Sequence, residues 1–339
     1  MLSWSIRKIF RRHDIVAGLT LIVVSYTPFV FRTTTFNNFT SLIIGLSFPL
    51  GVMLVANQIV IKLGGFSPIS LIRGNPANNR NFTIVLVAFG AILGFIAADL
   101  GGLWYFPYWS ASTYLLIGFL LGGWAFYFFF LIICYEATKL TLDKLITQKR
   151  KVTNYYSYEH RLYFVLFCLG LGMLAVVAKT VLVNTHYFTR FHYVVDQIKP
   201  PYISWQYWIL TFFGLWFVCE YIDFRKHRSS LLKDTLHGYV NPLLAILVVS
   251  FILAITYEVQ NQRIWLWRYA NYPLAGHEVF NIPVFIILTW PLHIAGAVVF
   301  WRAFGNGSSS IVFANSKSIR KRRRSAPRKL VVAAAGARR

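Results

Sequence analysis

Glu258 closes an apolar run of membrane-spanning length and is followed at once by a ring-rich loop carrying Trp265, Trp267 and Tyr269. A carboxyl group set against indole and phenol rings loses solvation, which favours its neutral form. In that form it can give a proton to a carbon–carbon double bond, and once charged it can take one back. Ring faces beside it can stabilise a developing cation. The next apolar run carries Trp290, Pro291 and His293; the proline loosens the helix there, and an interhelical hydrogen bond is the simpler role for the imidazole. A thinner copy lies earlier in the chain: Asp99, then Trp104-Tyr105-Phe106-Pro107, then Gly122-Gly123-Trp124 inside the following run. The expected acid/base groups are therefore Glu258 first, Asp99 second and His293 third. Trp104, Tyr105, Trp124, Trp265, Trp267, Tyr269 and Trp290 are the expected pocket lining. The plainer alternative is an aromatic belt at the membrane interface, with Glu258 in interfacial water and paired with Arg263 or Arg268.

Other chemistries find less support. His186, His192 and Asp196 share a loop but do not keep a metal-ligand spacing, and the sequence holds no phosphate-binding glycine loop, no His-Glu-x-x-His and no Gly-x-Ser-x-Gly. No metal and no cofactor is expected. Cys134, Cys168 and Cys219 all fall within apolar runs, so no disulfide framework is implied. Glu136, Asp143, Glu220 and Asp223 stand among Lys and Arg at the ends of runs, where solvated pairs suffice for them.

The elements that must position these groups are membrane helices. Of the 339 residues 57% are apolar and only 13% charged, half the usual charged share of a soluble chain. A helix needs about 20 mainly apolar residues to cross a bilayer, and eight runs qualify: 13–31, 41–61, 82–99, 112–135, 162–183, 204–222, 241–258 and 282–304. The fold class expected is an all-α, polytopic membrane bundle of about eight helices spanning residues 1–304, whose two acidic units are strand-free helix-loop-helix segments. The first run lacks a small-x-small cleavage pattern, so it reads as an uncleaved span rather than a leader.

The formal charge of +23 sits between and after the runs, the pattern of membrane topology rather than of a nucleic-acid face. Alternate loops are rich and poor in Lys and Arg, which places both termini on the cytoplasmic side, with a bacterial plasma membrane the expected location. Residues 305–339 form a linker followed by Arg320-Lys321-Arg322-Arg323-Arg324; this tail is expected to be disordered and drawn to anionic headgroups. Runs three and four with their loop echo runs seven and eight in the same orientation, compatible with a parallel four-plus-four duplication.

An acidic helix end, a Trp-x-Tyr loop and an Ile-Pro entry into a Trp-bearing helix together resemble integral-membrane carotenoid enzymes. The carotenoid hydratase family is the nearer likeness and the membrane-domain lycopene cyclases the more distant. The matching positions are Glu258, Trp265, Trp267, Tyr269, Ile282, Pro283 and Trp290, more thinly Asp99, Trp104 and Tyr105. The resemblance implies protonation of a polyene end within the membrane, then ring closure or water addition. The cyclase pattern carries a Pro-Leu-Glu-Glu type entry where this chain reads Ile282-Pro283-Val284-Phe285. The functional expectation is a membrane enzyme using acid–base chemistry on an apolar, isoprenoid-like lipid. Carboxylate-coupled transport and a non-catalytic membrane subunit are the alternatives. The partners expected are membrane lipids and the lipid substrate, not nucleic acid.

Overall fold

Lipid offers no hydrogen bonds to backbone N–H and C=O groups, so each apolar run must satisfy its own, as a helix. The computed structural model describes residues 2–28, 38–64, 84, 86–88, 90, 104–105, 123–146, 156–183, 204–226, 230–264, 267–274 and 276–304. Within them lie α1 (Leu2–Ser25), α2 (Asn38–Lys62), α3 (Trp124–Leu145), α4 (Ser157–Val183), α5 (Trp205–Arg225), the short α6 (Leu231–Leu236), α7 (Asn241–Ile264) and α8 (Val284–Phe304). Among the described residues six helices are long and apolar enough to cross a membrane, and α1 adds a shorter apolar stretch, His13–Ser25. Seven of the expected runs fall on these helices. Run 82–99 lies almost wholly outside the described residues, and so does the tail 305–339.

One helix continues past the end of its run. The apolar stretch gives out at Glu136, yet α3 starts at Trp124 and continues to Leu145. Hydropathy marks where lipid contact ends; the helix continues because Glu136 and Lys139, in its last turns, are buried against other protein.

The helices form layers. α3, α7 and α8 pack mutually at the centre; α2 covers one side with α1 outside it, and α5 covers the other with α4 outside it. The core they share includes Phe130, Leu131, Val249, Leu253, Ile294 and Val298. Lipid tails are as apolar as these side chains, so close packing and internal hydrogen bonds hold such a bundle together.

Short strands join the loops, which corrects the expectation of strand-free units. Trp104–Tyr105 (β1) pairs antiparallel with Arg268–Tyr269 (β2), Trp104 opposite Tyr269 and Tyr105 opposite Arg268. Glu278–Val279 (β3) pairs with Ile282–Pro283 (β4) just before α8. Extended backbone at this depth needs a partner for its polar groups, and each strand supplies one for the other.

Two helix crossings depend on glycine. A Cβ on Gly18 would stand 2.8 Å from the Gly51 carbonyl oxygen, and one on Gly51 would stand 2.6 Å from that of Gly18. Between α4 and α5 a Cβ on Gly170 would lie 2.9 Å from the Gly214 carbonyl oxygen. Gly172, on the outward side of α4, has nothing within 4 Å. Gly18→Ala and Gly51→Ala should each cost roughly 1–3 kcal/mol by overpacking, read as a lower unfolding midpoint in detergent. Gly172→Ala should stay within about 0.5 kcal/mol of wild type. Equal midpoints for all three would show that α1 and α2 do not cross at their glycines.

Candidate functional site

Side chains two residues apart on extended backbone lie on one side, so Trp267 and Tyr269 meet. The Trp267 Nε1–H donates to the Tyr269 hydroxyl at 2.7 Å. That hydroxyl donates onward to Oε1 of Glu258, and the Trp290 Nε1–H donates to the same oxygen at 3.1 Å. Glu258 is 2% exposed. Its other oxygen, Oε2, has no hydrogen-bond partner among the described residues. Among those residues the carboxyl is bound by a phenol and an indole rather than by Arg268, which sets aside the picture of a helix-end carboxylate in interfacial water.

Burying a carboxyl group is expensive unless its oxygens find donors. Here two donors converge on one oxygen, and the other, without a partner among the described residues, is the atom able to exchange a proton. Tyr269 suits its part: burial, and then the Glu258 carboxylate, hold its hydroxyl well above the ordinary phenol range, so it stays protonated and donates.

The loop is clamped to the helix end that precedes it. Asn261 Oδ1 accepts from the Trp267 N–H at 3.1 Å and its Nδ2 donates to the Trp267 carbonyl at 2.9 Å. Gln262 Nε2 donates to the Asn281 carbonyl at 2.9 Å, and the Val284 N–H donates to the His277 carbonyl at 2.9 Å as α8 begins. Asn271, Leu274, Phe280 and Asn281 all take left-handed backbone, with φ of 54°, 61°, 55° and 60°. Asparagine tolerates that region, whereas Leu274 and Phe280 each pay about 1–2 kcal/mol for it. The clamps and the β3–β4 pair hold the strain in place.

His293 sits deeper, on α8, boxed by rings. Trp208 stands perpendicular to it at 5.2 Å between centroids, Phe212 lies at 5.4 Å, Trp290 at 5.9 Å and Tyr127 at 6.1 Å. Its Nδ1 lies 3.2 Å from the Tyr127 hydroxyl, which is the interhelical hydrogen bond expected of it. The Tyr127 ring also meets Trp290 edge-on at 6.0 Å. Trp290 thus touches both groups: its Nε1–H meets Glu258 and its ring meets those of Tyr127 and His293.

Glu258, Trp267, Tyr269, Trp290 and His293 are therefore brought together. Trp104 and Tyr105 are joined to the site by their backbone, through β1; their side chains, that of Trp124, and all of Asp99 and Trp265 lie outside the described residues. Tyr127, Tyr257 and Asn261 were not singled out in the sequence. Tyr127 is hidden in the ring run Phe126 to Phe130, and Tyr257, whose ring lies 5.0 Å from Trp267, reads as one more helix aromatic. Asn261 had a signal, since three amides in a row, Gln260-Asn261-Gln262, are unusual at the end of an apolar run.

At the opposite end of the same helices a second correction is needed. Glu136, Glu220 and Asp223, expected in solvated pairs, are 2%, 1% and 1% exposed. Glu220 accepts from the Trp216 Nε1–H at 2.9 Å and from the Leu232 N–H at 3.1 Å. Asp143 accepts from Tyr239 at 2.6 Å, Asn241 at 2.8 Å and Lys139 at 3.1 Å. The expectation failed because the neighbouring helices, not water, surround these helix ends.

Set against known protein families, characterised sequences and solved structures, the chain matches none.

If Tyr269 and Trp290 serve one carboxyl oxygen, their removal is coupled. Tyr269→Phe and Trp290→Phe should each cost about 1–3 kcal/mol, and the double variant should depart from additivity by about 0.5 kcal/mol or more. Denaturant unfolding in detergent measures the cycle; additivity within about 0.3 kcal/mol would dissolve the shared site.

Proposed function

We propose that this membrane protein is an enzyme using acid–base chemistry on an apolar, isoprenoid-like lipid, by ring closure or addition of water. The observation that carries the reading is the Glu258 carboxyl group, buried among rings with one oxygen held by two donors and Oε2 open. A reaction through a carbocation needs an acid to start it, a base to end it and walls that do not react with the cation between. Glu258 supplies the acid at Oε2. The Tyr127–His293 pair, in ring contact with Trp290, is the group able to take a proton back. Trp267, Trp290, Tyr257 and Tyr269 offer ring faces that stabilise positive charge without adding to it, and exclusion of water keeps the cation from being quenched early. The bias of Lys and Arg among the loops supports cytoplasmic termini, which puts this site towards the outer leaflet.

Carboxylate-coupled transport is the second reading. What favours it is the further set of buried carboxylates at the other end of α3, α7 and α8, since acids buried at both ends of a bundle suit proton or ion movement.

The test is expression in a host that accumulates an acyclic polyene, with chromatography of the lipid extract. Wild type should convert the polyene; Glu258→Gln should lower turnover by about 10²-fold or more at equal membrane abundance and unfolding midpoint. Undiminished turnover in that variant moves the chemistry away from Glu258. An inert wild type that shows proton-linked uptake in vesicles transfers the case to transport.

A further inference from the structure

The loop that returns to α8 ends in a hairpin whose tip carries apolar side chains away from the bundle. Phe280 and Asn281 join β3 to β4 with φ of 55° and 60°, and two successive positive φ angles are what a two-residue type I′ turn requires. Asn, Asp and Gly suit that turn; a phenylalanine at its first position is strained, and the turn itself has no use for a ring. The ring is there all the same, 69% exposed, with Val279 beside it at 46%; Leu274, also left-handed, is 54% exposed. Ile282, on the partner strand, is fully buried. The hairpin is therefore two-sided: β4 packs into the protein, while β3 and the turn face away from it.

Two hydrogen bonds fix the height at which these side chains stand. Gln262 Nε2 donates to the Asn281 carbonyl at 2.9 Å, and the Val284 N–H donates to the His277 carbonyl at 2.9 Å. Gln262 ends the apolar span Asn241–Gln262, and Val284 begins the apolar span Val284–Ala303. The first of these has 22 residues, about 33 Å of helix at 1.5 Å each, against a hydrocarbon core of about 30 Å. Both attachments thus lie at the edge of the hydrocarbon, and Val279 and Phe280 lie in the chain between the two attached residues, His277 and Asn281.

The neighbouring surface fits that level. Asn271, His277, Glu278 and Asn281 are exposed on the same loop, so polar groups that suit water and headgroups accompany the apolar ones. Leu288, one turn into α8, is exposed as well, which carries the apolar surface on from the hairpin into the span. An exposed apolar patch marks contact with another protein or with a membrane, and the height fixed by Gln262 and Val284 selects the membrane. We propose that the β3–β4 hairpin docks on the lipid bilayer itself, with Leu274, Val279 and Phe280 inserted among acyl chains just below the headgroups. The inserted tip holds the return loop at a fixed depth. This contact is independent of the chemistry at Glu258, and its failure would leave that reading untouched.

The experiment uses the full chain in phosphatidylcholine nanodiscs. Cys168, the exposed cysteine among the described residues, is removed by Cys168→Ser, and a nitroxide is attached in turn at Leu274→Cys, Phe280→Cys and His277→Cys. Its collisions with oxygen, which concentrates in lipid, are compared with its collisions with a water-soluble nickel chelate. The oxygen-to-nickel ratio should be several-fold higher at 274 and 280 than at 277. A second measurement needs no variant: phosphatidylcholine with a photoactivatable diazirine near the ester end of its acyl chain is cross-linked to wild type, and peptide mapping should find adducts on Leu274, Val279 or Phe280. The mapping decides the matter alone if the labelled variants do not fold. Nickel access at 274 and 280 equal to that at 277 overturns the proposal, as does a hairpin without lipid adducts. Shielding of 274 and 280 from both reagents also overturns it and marks a protein neighbour, such as a second copy of the chain, in place of lipid.

Discussion

A carboxyl group can be kept dry only if something in the fold answers it, and this condition shapes both ends of the bundle. Each uncompensated buried charge costs several kcal/mol, a large part of the net stability of any domain. At Glu258 the answer comes from outside its own helix: Tyr269 from the loop and Trp290 from α8. The loop must then be held in register, which Asn261 does by closing both backbone bonds of Trp267. The left-handed residues further along follow from the same requirement, because the chain must return to the membrane within a few residues and deliver Trp290 to the same oxygen.

The two polar ends are kept apart by packing. Along α7 the seventeen steps from Asn241 to Glu258 rise by about 26 Å at 1.5 Å each, and the space between is filled by Phe130, Val249, Leu253, Ile294 and Val298. No water-driven collapse acts between helices in lipid, so contact at backbone distance carries weight. The Gly18–Gly51 and Gly170–Gly214 crossings bring α1 to α2 and α4 to α5 at that distance. Amide and hydroxyl side chains add to it, as where the hydroxyl of Tyr26, just past α1, donates to the Thr256 carbonyl of α7 at 2.9 Å.

What the sequence made legible follows from what lipid demands. Runs of about 20 apolar residues are required for crossing, so the helices were readable, and a carboxylate joined to Trp and Tyr at the end of one was rare enough to single out Glu258, Trp267, Tyr269 and Trp290. Hydropathy reports contact with lipid and is silent about contact with protein. It therefore ended one span at residue 135 when α3 runs to Leu145, and it read Glu136 and Glu220 as solvated when neighbouring helices enclose them. Tyr127 was illegible for another reason: among consecutive rings nothing in spacing tells which one faces an imidazole, and only the packing of α3 on α8 decides it. The strand pairs were hidden because two-residue strands leave no periodicity to detect.

The β1–β2 pair bears on how the two acidic units relate. Trp104-Tyr105 and Trp267-Arg268-Tyr269 are the like segments of the two units, and they pair antiparallel. Two like strands related by a two-fold axis between them run antiparallel, and an axis along the membrane normal is the one that a parallel duplication of helices would have. The register of β1 with β2 is thus compatible with the duplication that the runs alone suggested. Among the described residues the groups gathered around Glu258 are a phenol, two indoles and, beyond them, an imidazole–phenol pair, so neutral partners answer its carboxyl group within that set.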